Sequence, residues 1–293
     1  MEYNIKTNDT YGFKYLDPIP SKSALAQFYA SQYYPEGPLK LIASEMQYIR
    51  QEAALALLTI ETQKPESSAI DLGCGPGFFL QELKSSGWKV RACDYARKAL
   101  ESNNPALKPH FTECDIEQYA QTCEETFGLV NLQNVLEHVR DPVALLLNMK
   151  RLMTPSSVLR VKVPNDYSAF QRYLVTEGYS KPTWISAPDH INYFNFGSLK
   201  STFETLGFKI LSIQADFPIE VFQLNEHSNY AKNKSLGKEA HMARLRASNY
   251  LMSKSLALYK QYSEIAAELE YGRQITIYAT SPSNVSASQE RPA

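Results

Sequence analysis

An apolar stretch that ends in an acid and enters a glycine-rich turn constrains this chain most. Residues 69–77 read AIDLGCGPG, and the apolar side chains that follow at 78–80 begin a helix. Glycines allow a tight turn and let the backbone pass close beneath a ligand. In a parallel α/β sheet, such a turn lies outside the carboxyl end of its strand, where ligands bind. The stretch therefore predicts a strand, a ligand-binding turn and a helix.

From this point the chain alternates short apolar runs with helical segments, which is the pattern of β-α-β units. We predict strands at 68–72, 89–94, 110–115, 129–133, 158–163, 208–215 and 274–280. We predict helices near 78–86, 96–103, 116–122, 141–153 and 196–206. The pattern indicates a Rossmann-like α/β fold with helices on both faces of the sheet.

The remaining segments flank or interrupt this core. We expect an irregular lead-in over 1–20, helices over 21–34 and 39–62, a loop-rich stretch over 164–195, and one or two long helices over 238–271. The resulting division has an N-terminal helical lid (1–65), a ligand-binding core (66–215), a helical insertion or substrate lid (216–272), a last core strand (273–280) and a disordered tail (281–293). Arg244 and Arg246 in the insertion are candidates to hold an anionic group of the substrate, with an ordinary charged helix face as the alternative.

Charge and composition exclude several classes of protein. The formal net charge is −1, whereas nucleic-acid binding calls for a basic patch or stripe. The lysines and arginines between Lys232 and Arg246 are interrupted by acids and alanines, so we interpret them as a solvated helix face. No apolar run approaches the roughly 20 residues that span a bilayer, and residues 1–17 lack the apolar core of a secretory signal. We expect a cytoplasmic monomer or homodimer that binds neither nucleic acid nor membrane.

The four cysteines, at 74, 93, 114 and 123, form no C-x-x-C pair. A zinc ribbon or a thioredoxin-type motif is therefore not supported. We interpret them as reduced, mostly buried side chains.

The acids at successive strand ends indicate the kind of ligand. The pattern D-x-G-x-G-x-G differs from the dinucleotide fingerprint G-x-G-x-x-G and lacks the Lys-Ser/Thr of a phosphate loop, which argues against an NAD- or nucleotide-binding enzyme. Asp71, ahead of the glycines, disfavours a pyrophosphate and suits a cationic ligand. Asp94 is placed to accept hydrogen bonds from ribose hydroxyls, and Asp115 from an adenine amino group, with Ile116 against the ring. Each acid alone could be a helix cap or turn residue, but together they indicate a nucleoside site.

These residues resemble a known family. DLGCGPG at 71–77, Asp94, CDI at 114–116 and NVLEHVRDP at 134–142 resemble class I S-adenosylmethionine-dependent methyltransferases, in the branch of ubiquinone-pathway O-methyltransferases and their bacterial relatives. The resemblance implies a seven-stranded sheet with an antiparallel last strand, and S-adenosyl-L-methionine as the cofactor. The cofactor-binding residues are expected to be Asp71, Gly73, Cys74, Gly75, Gly77, Phe78, Asp94, Tyr95, Asp115, Ile116 and Gln133, with Tyr33 or Tyr34 covering the cofactor's carboxylate.

Methyl transfer to a hydroxyl or amine also needs a proton acceptor, and histidine titrates near neutral pH. His190 and His138 are the candidates, together with Glu137. A structural role for His138 at a helix start is the alternative. We expect no metal, although Glu137, His138 and His190 resemble part of the E-x-x-E-H metal site of small-RNA 2′-O-methyltransferases. Asn134 replaces the first acid of that motif, which weakens a site for Mg²⁺, Mn²⁺ or Zn²⁺.

The sequence therefore predicts a biosynthetic methyltransferase that acts on an oxygen or nitrogen of a small polar metabolite, such as a sugar or a nucleotide-linked sugar. The acceptor class rests on family analogy. Two alternatives stay open: a non-catalytic binding protein on the same fold, and an RNA methyltransferase.

Overall fold

Strands and helices alternate along residues 3–32 and 37–282, the part of the chain that this computed structural model describes. The strands are β1 (Asn4–Thr7), β2 (Lys14–Asp17), β3 (Ser68–Leu72), β4 (Lys89–Asp94), β5 (Phe111–Glu113), β6 (Phe127–Gln133), β7 (Met153–Pro164), β8 (Asn192–Tyr193), β9 (Lys209–Ala215) and β10 (Gln274–Thr280). The α-helices are α1 (Lys22–Gln32), α2 (Ala43–Ile60), α3 (Phe78–Ser85), α4 (Arg97–Asn103), α5 (Ile116–Thr122), α6 (Pro142–Met149), α7 (Ala169–Thr176), α8 (Phe196–Thr205), α9 (Gly237–Lys254) and α10 (Leu256–Glu268). Tyr33, Tyr34 and the predicted tail from residue 283 onward lie outside the described residues.

Seven strands form the central sheet in the order β5-β4-β3-β6-β7-β10-β9. The first five are parallel, whereas β10 runs antiparallel to both β7 and β9. Because the chain leaves β3 toward β4 and later returns to β6 on the other side, the strand order reverses between β3 and β6. Ligands bind at the carboxyl end of the sheet at such a reversal. The predicted seven-stranded Rossmann-like sheet with an antiparallel last strand is confirmed.

Alternation along the strands sends apolar side chains to both faces of the sheet. Ile70 and Val130 pack in one buried cluster with side chains of α5, α6 and α8, whereas Ala69 and Leu129 pack in a second cluster with α2 and α3. Local signals fix the helix ends. Asp141 caps α6 through the Ala144 amide. The sheet is therefore covered on both faces.

The lead-in was predicted to be irregular, and this was wrong. Strands β1 and β2 form an antiparallel hairpin, and β2 pairs with the short strand β8, with Lys14 opposite Tyr193. The Leu16 amide donates to the Ile191 carbonyl at 2.9 Å. The loop-rich stretch also contains helix α7, which begins at the cap residue Ser168. The hairpin therefore rests on the loop that carries His190.

The insertion packs on the N-terminal helix. Asn249 of α9 donates to the Ser44 carbonyl at 2.8 Å, and Gln51 of α2 donates to the Asn249 carbonyl at 3.2 Å. The predicted long segment is two helices, because Ser255 is extended and caps α10. No described helix combines the length and apolarity that crossing a bilayer requires.

Candidate active site

The glycine-rich turn between β3 and α3 leaves no room for side chains at two of its glycines. Gly73 and Gly77 have φ angles of +76° and +77°. A Cβ on Gly73 would lie 2.5 Å from Val135 Cγ2, and one on Gly77 would lie 2.8 Å from Leu107 Cδ1. Side chains are therefore excluded at both positions by conformation and by space.

Asp94 closes this turn from the neighbouring strand. Its Oδ2 accepts from the Gly75 amide and its Oδ1 from the Ala96 amide, each at 2.8 Å. The side chain is buried, yet each carboxylate oxygen has a second lone-pair direction for a further donor. The carboxylate is held in place by backbone and still able to accept.

Asp115, one strand further along the sheet, caps a helix and keeps its charge. Its Oδ1 accepts from the amides of Glu117 and Gln118 at 2.8 and 3.3 Å, so it caps α5. Burial opposes ionisation, but the Tyr95 hydroxyl and these amides outweigh it and hold the pKa of Asp115 below its usual value. The cap interpretation of Asp115 is therefore correct, and the carboxylate stays charged beside Ile116.

Asp71 is tied into a polar row that crosses the sheet. Asn131 Nδ2 donates to Asp71 Oδ1 at 2.6 Å. Arg160 Nη1 donates to Asn131 Oδ1 at 2.7 Å and to Gln133 Oε1 at 2.9 Å. Arg160 Nη2 donates to Glu52 Oε1 of α2 at 2.8 Å. Gln133, expected to touch the cofactor, is thus oriented by Arg160.

Burial raises the pKa of Asp71 to about 6, although the Asn131 hydrogen bond and the charge of Arg160 oppose the rise. Lys162 Nζ adds a second cation to Glu52 at 2.5 Å. Arg160 and Lys162 interrupt the apolar run VLRVKV, which was a readable signal. Sequence reasoning placed that strand and missed this function of its charged residues.

The other expected cofactor residues lie around the same turn. Cys74 is buried, Phe78 is half-buried at the start of α3, and Tyr95 is 63% exposed between β4 and α4. Asp71 and Asp94 interact electrostatically, because the charge of Asp94 opposes ionisation of Asp71. Both charges also oppose ionisation of the Cys74 thiol, whose pKa burial already raises. Asp115 follows the end of the neighbouring parallel strand β5, so the three acids lie at the carboxyl ends of adjacent strands.

Glu137, His138 and His190 form a second cluster beyond the end of β6. Each residue offers one nitrogen or oxygen atom that could bind a metal ion, and these three atoms lie within 4.8 Å of one another. The His138 and His190 rings meet edge to face at 4.8 Å. The Glu137 carbonyl accepts from the amides of Ile191 and Asn192 at 2.7 and 3.0 Å, which holds the two segments together. The three residues are thus brought together from distant parts of the chain.

The protonation of this cluster follows from its burial. Burial raises the pKa of Glu137 to about 8. Burial and the neighbouring His138 lower the pKa of His190 to about 4. His138 Nδ1 lies 2.8 Å from the Asp189 carbonyl, which only accepts, so Nδ1 carries a hydrogen and Nε2 has the lone pair. Among described residues, Glu137 Oε2 and His190 Nδ1 are buried without a hydrogen-bond partner.

Asn134 is hydrogen-bonded to the last strand of the sheet. It is exposed, has a φ of +54°, and accepts from Gln274 Nε2 at 3.0 Å. Arg244, the candidate anion holder, is paired with Asp216 at 2.8 Å and lies 5.3 Å from the Tyr48 ring. Arg246 is exposed on α9. Arg244 therefore already has an anionic partner within the protein.

Comparison with known proteins identifies the family of this chain. A family model described as "Methyltransferase domain" matches residues 43–213. The chain is 30% identical over 91 residues to a ubiquinone biosynthesis O-methyltransferase of Hydrogenovibrio crunogenus, covering 29% of this chain and 38% of that protein. It is 25% identical over 142 residues to the protein of that name from Histophilus somni, covering 44% and 56%. The matches thus span about half or less of these relatives' length.

Among solved structures, the chain is similar to a SAM dependent methyltransferase from Archaeoglobus fulgidus. The two are 20% identical with a TM-score of 0.48, and the match covers 78% of this chain and 94% of that one.

Proposed function

We propose, from the premise that this chain belongs to the methyltransferase domain family, that it transfers a methyl group from S-adenosyl-L-methionine to a small polar acceptor. The observation that carries the proposal is that Asp94 and Asp115 lie at the ends of adjacent strands, with Asp94 bonded to the glycine turn. Acceptor oxygens at adjacent strand ends, next to bare backbone, match the hydroxyl and amino donors of an adenosyl group.

The residues at the turn fit the cofactor in chemical kind. Asp94 would take the ribose hydroxyls, Asp115 and Ile116 the adenine, and Gly73 and Gly75 the methionine part. When bound, the cofactor supplies an electrophilic methyl group on a sulfonium. Asp71 adds an acid near this cation, and its ionisation is favoured by a nearby positive charge.

His190 is the residue we propose to take the proton of the acceptor. Its pKa of about 4 leaves the imidazole neutral at pH 7, so a lone pair is available, while the same shift makes it a weaker base than an ordinary histidine. His138 packs against it and fixes its position, while Glu137 is protonated at neutral pH in the absence of a cation. This arrangement supports transfer to a group that must lose a proton.

Oxygen is the acceptor atom we favour over nitrogen, because the curated relatives are named O-methyltransferases. Those names give no support to a sugar or a nucleotide-linked sugar. The proposed acceptor is accordingly a hydroxyl group on a small molecule.

A divalent cation at Glu137, His138 and His190 is the alternative to His190 as the proton acceptor, because a neutral imidazole has a single lone pair. One carboxylate and two imidazoles suit Mn²⁺ or Zn²⁺, and the Asp189 carbonyl orients His138 as an outer partner orients a ligand. The buried Glu137 Oε2 and His190 Nδ1 support this, because unpaired buried atoms call for a partner. When bound, such a cation would favour ionisation of an acceptor hydroxyl.

The cofactor assignment is tested by calorimetry with S-adenosylhomocysteine. The wild-type chain should bind, and Asp94→Asn should weaken binding by about tenfold or more, because hydrogen bonds to a charged group contribute roughly 1.5–3 kcal/mol. Asp141→Asn, at an exposed helix cap, is the matched control and should bind normally. A folded wild-type chain that binds nothing would contradict the proposal.

Separate measurements address the alternatives. A non-catalytic binding protein would bind the cofactor product yet transfer no labelled methyl group to any hydroxyl acceptor in a screen. An RNA methyltransferase would retain RNA on filters with a steep dependence on salt. For the cation, metal content before and after chelation, and restoration of activity by Mn²⁺ or Zn²⁺, should both depend on His190; equal metal content in His190→Gln would contradict that site.

A further inference from the structure

Helix α10 carries a stripe of apolar side chains that the described residues leave open to solvent. The exposed fractions are 65% for Leu258, 37% for Tyr262, 59% for Ile265 and 68% for Leu269. Single exposed apolar residues are ordinary, but a continuous row on one helix is typical of an interaction surface.

The spacing of this stripe is that of a helix-helix seam. The residues follow one another at intervals of four, three and four, which keeps them on one side of a helix. A neighbouring side of α10, about a third of a turn around the helix, is already buried through Tyr259, Ser263, Ala266 and Ala267. Packing within one copy of the chain buries only that second side. The stripe is therefore free to contact a partner.

The charged residues near the two ends of the stripe favour a second copy of this chain, in an antiparallel arrangement, as the partner. Lys254 is exposed just before α10, and Glu268 is exposed at its end. Neither makes an ion pair within residues 3–32 and 37–282, although the Lys254 ammonium lies 5.0 Å from the Tyr250 ring. Two antiparallel copies would bring each Lys254 to the partner's Glu268, whereas parallel copies would set like charges side by side.

The charges within α10 do not interrupt the seam. Lys260 and Glu264 pair with each other at 2.6 Å, and Glu264 also accepts from Ser212 of β9 at 2.6 Å. These two side chains are thus engaged toward their own subunit. The stripe between Lys254 and Glu268 is left apolar.

From the stripe and its terminal charges we infer that two copies of this chain form a two-fold dimer through antiparallel α10 helices. Leu258 of each copy packs on Ile265 of the other, and Tyr262 lies near the two-fold axis. Such an interface is closed, because each copy offers the same surface. The negatively charged Glu268 also meets the positive end of the partner helix.

Sedimentation velocity of the full chain over a concentration series tests this. The wild type should associate to dimers. Leu258→Glu and Ile265→Glu should each weaken dimerisation by about 100-fold or more, because the symmetric contact buries two carboxylates. Leu147→Glu, which alters a 45% exposed leucine on α6, is the matched control and should dimerise as the wild type does.

A charge exchange tests the antiparallel register. Lys254→Glu alone and Glu268→Lys alone should each weaken the dimer by a few-fold to about tenfold, and the double exchange should restore it. A chain that stays monomeric at every soluble concentration would overturn the proposal. So would a dimer that is indifferent to Leu258→Glu, and a double exchange no better than the single changes would overturn the antiparallel pairing.

Discussion

Burial raises the pKa of the Asp71 carboxyl group, and its neighbours offset this rise only in part. It accepts from Asn131 and sits near the Arg160 guanidinium, yet its pKa is raised to about 6. In the unfolded chain an aspartate titrates near 3.9. The folded state therefore holds a proton that the unfolded state has lost between about pH 4 and pH 6.

The sign of this linkage gives a prediction. The contribution of Asp71 to the free energy of unfolding is fully present below about pH 4 and is lost as pH rises through about 6, because the folded state binds more protons. Asp71→Asn should remove this dependence. Urea titrations of the cofactor-free chain measure the free energy of unfolding at each pH. Across that window, the difference in this free energy between variant and wild type should change with pH, with a slope of at most that of one bound proton. Curves of Asp71→Asn and wild type that run parallel across this window would refute the assignment.

At the same scale, the acids of the site were predictable and their supports were not. Asp71, Asp94 and Asp115 stand where apolar strands end, so the pattern alone brings them to one edge. Arg160 acts through partners on two other elements, Asn131 and Gln133 of β6 and Glu52 of α2. A single sequence does not reveal which strand lies beside which, so the polar row became visible only with the sheet order.

Among the elements, the N-terminal hairpin has the clearest effect on the site. Leu16 is fully buried in β2, its amide donates to Ile191, and Phe13 packs on Phe194 at 4.9 Å between ring centroids. Both contacts fall just after His190, at Ile191 and Phe194. The hairpin therefore holds the proposed proton acceptor in place from a distant part of the sequence.

Leu16→Ala should loosen that support. Removing buried methyl groups should lower stability by roughly 2–5 kcal/mol. Hydrogen exchange should quicken in residues 186–194 and remain unchanged at the glycine turn, residues 73–77. Ile19→Ala, which changes a 39% exposed neighbour, serves as the control. Equal protection of residues 186–194 in Leu16→Ala and wild type would show that the hairpin does not hold the loop.

Element predictions were accurate where apolar alternation was strong. Strands β3 and β10 were predicted at their observed bounds, and β7 was predicted too short because its first residues, Met153–Ser156, are polar or irregular in pattern. Strand β1 has the sequence NIKT and β8 has two residues, so neither has a periodicity to read. Their pairing depends on tertiary contacts instead.

Over the whole molecule, the N-terminal helix, the insertion and the sheet are joined by buried charge. Arg244 of α9 pairs with Asp216 at the end of β9 and packs over Tyr48 of α2. A cavity of about 30 Å³ beside them, lined by Glu52 and Lys162 among others, has room for about two water molecules. Residues 216–272 are thus packed on the core at this point. Their role as a substrate lid stays a prediction.

Arg244→Met should therefore destabilise the whole chain rather than one segment. It leaves the Asp216 carboxylate buried without its cation, and breaking such a pair costs roughly 3–5 kcal/mol. Chemical unfolding should stay a single transition, and Arg244→Met with Asp216→Asn should recover part of the loss in a double-mutant cycle. A stability loss that is unchanged in the double variant would contradict a specific pairing.

The placement of β10 between β7 and β9 has a consequence for biogenesis. A ribosome releases β7 and β9 long before β10, since the whole insertion is translated in between. Until residue 280 has left the exit tunnel, β7 lacks its neighbour on one side and β9 has no strand to join. The nascent chain therefore presents open strand edges, which are prone to pair with other chains, while the insertion and β10 are translated.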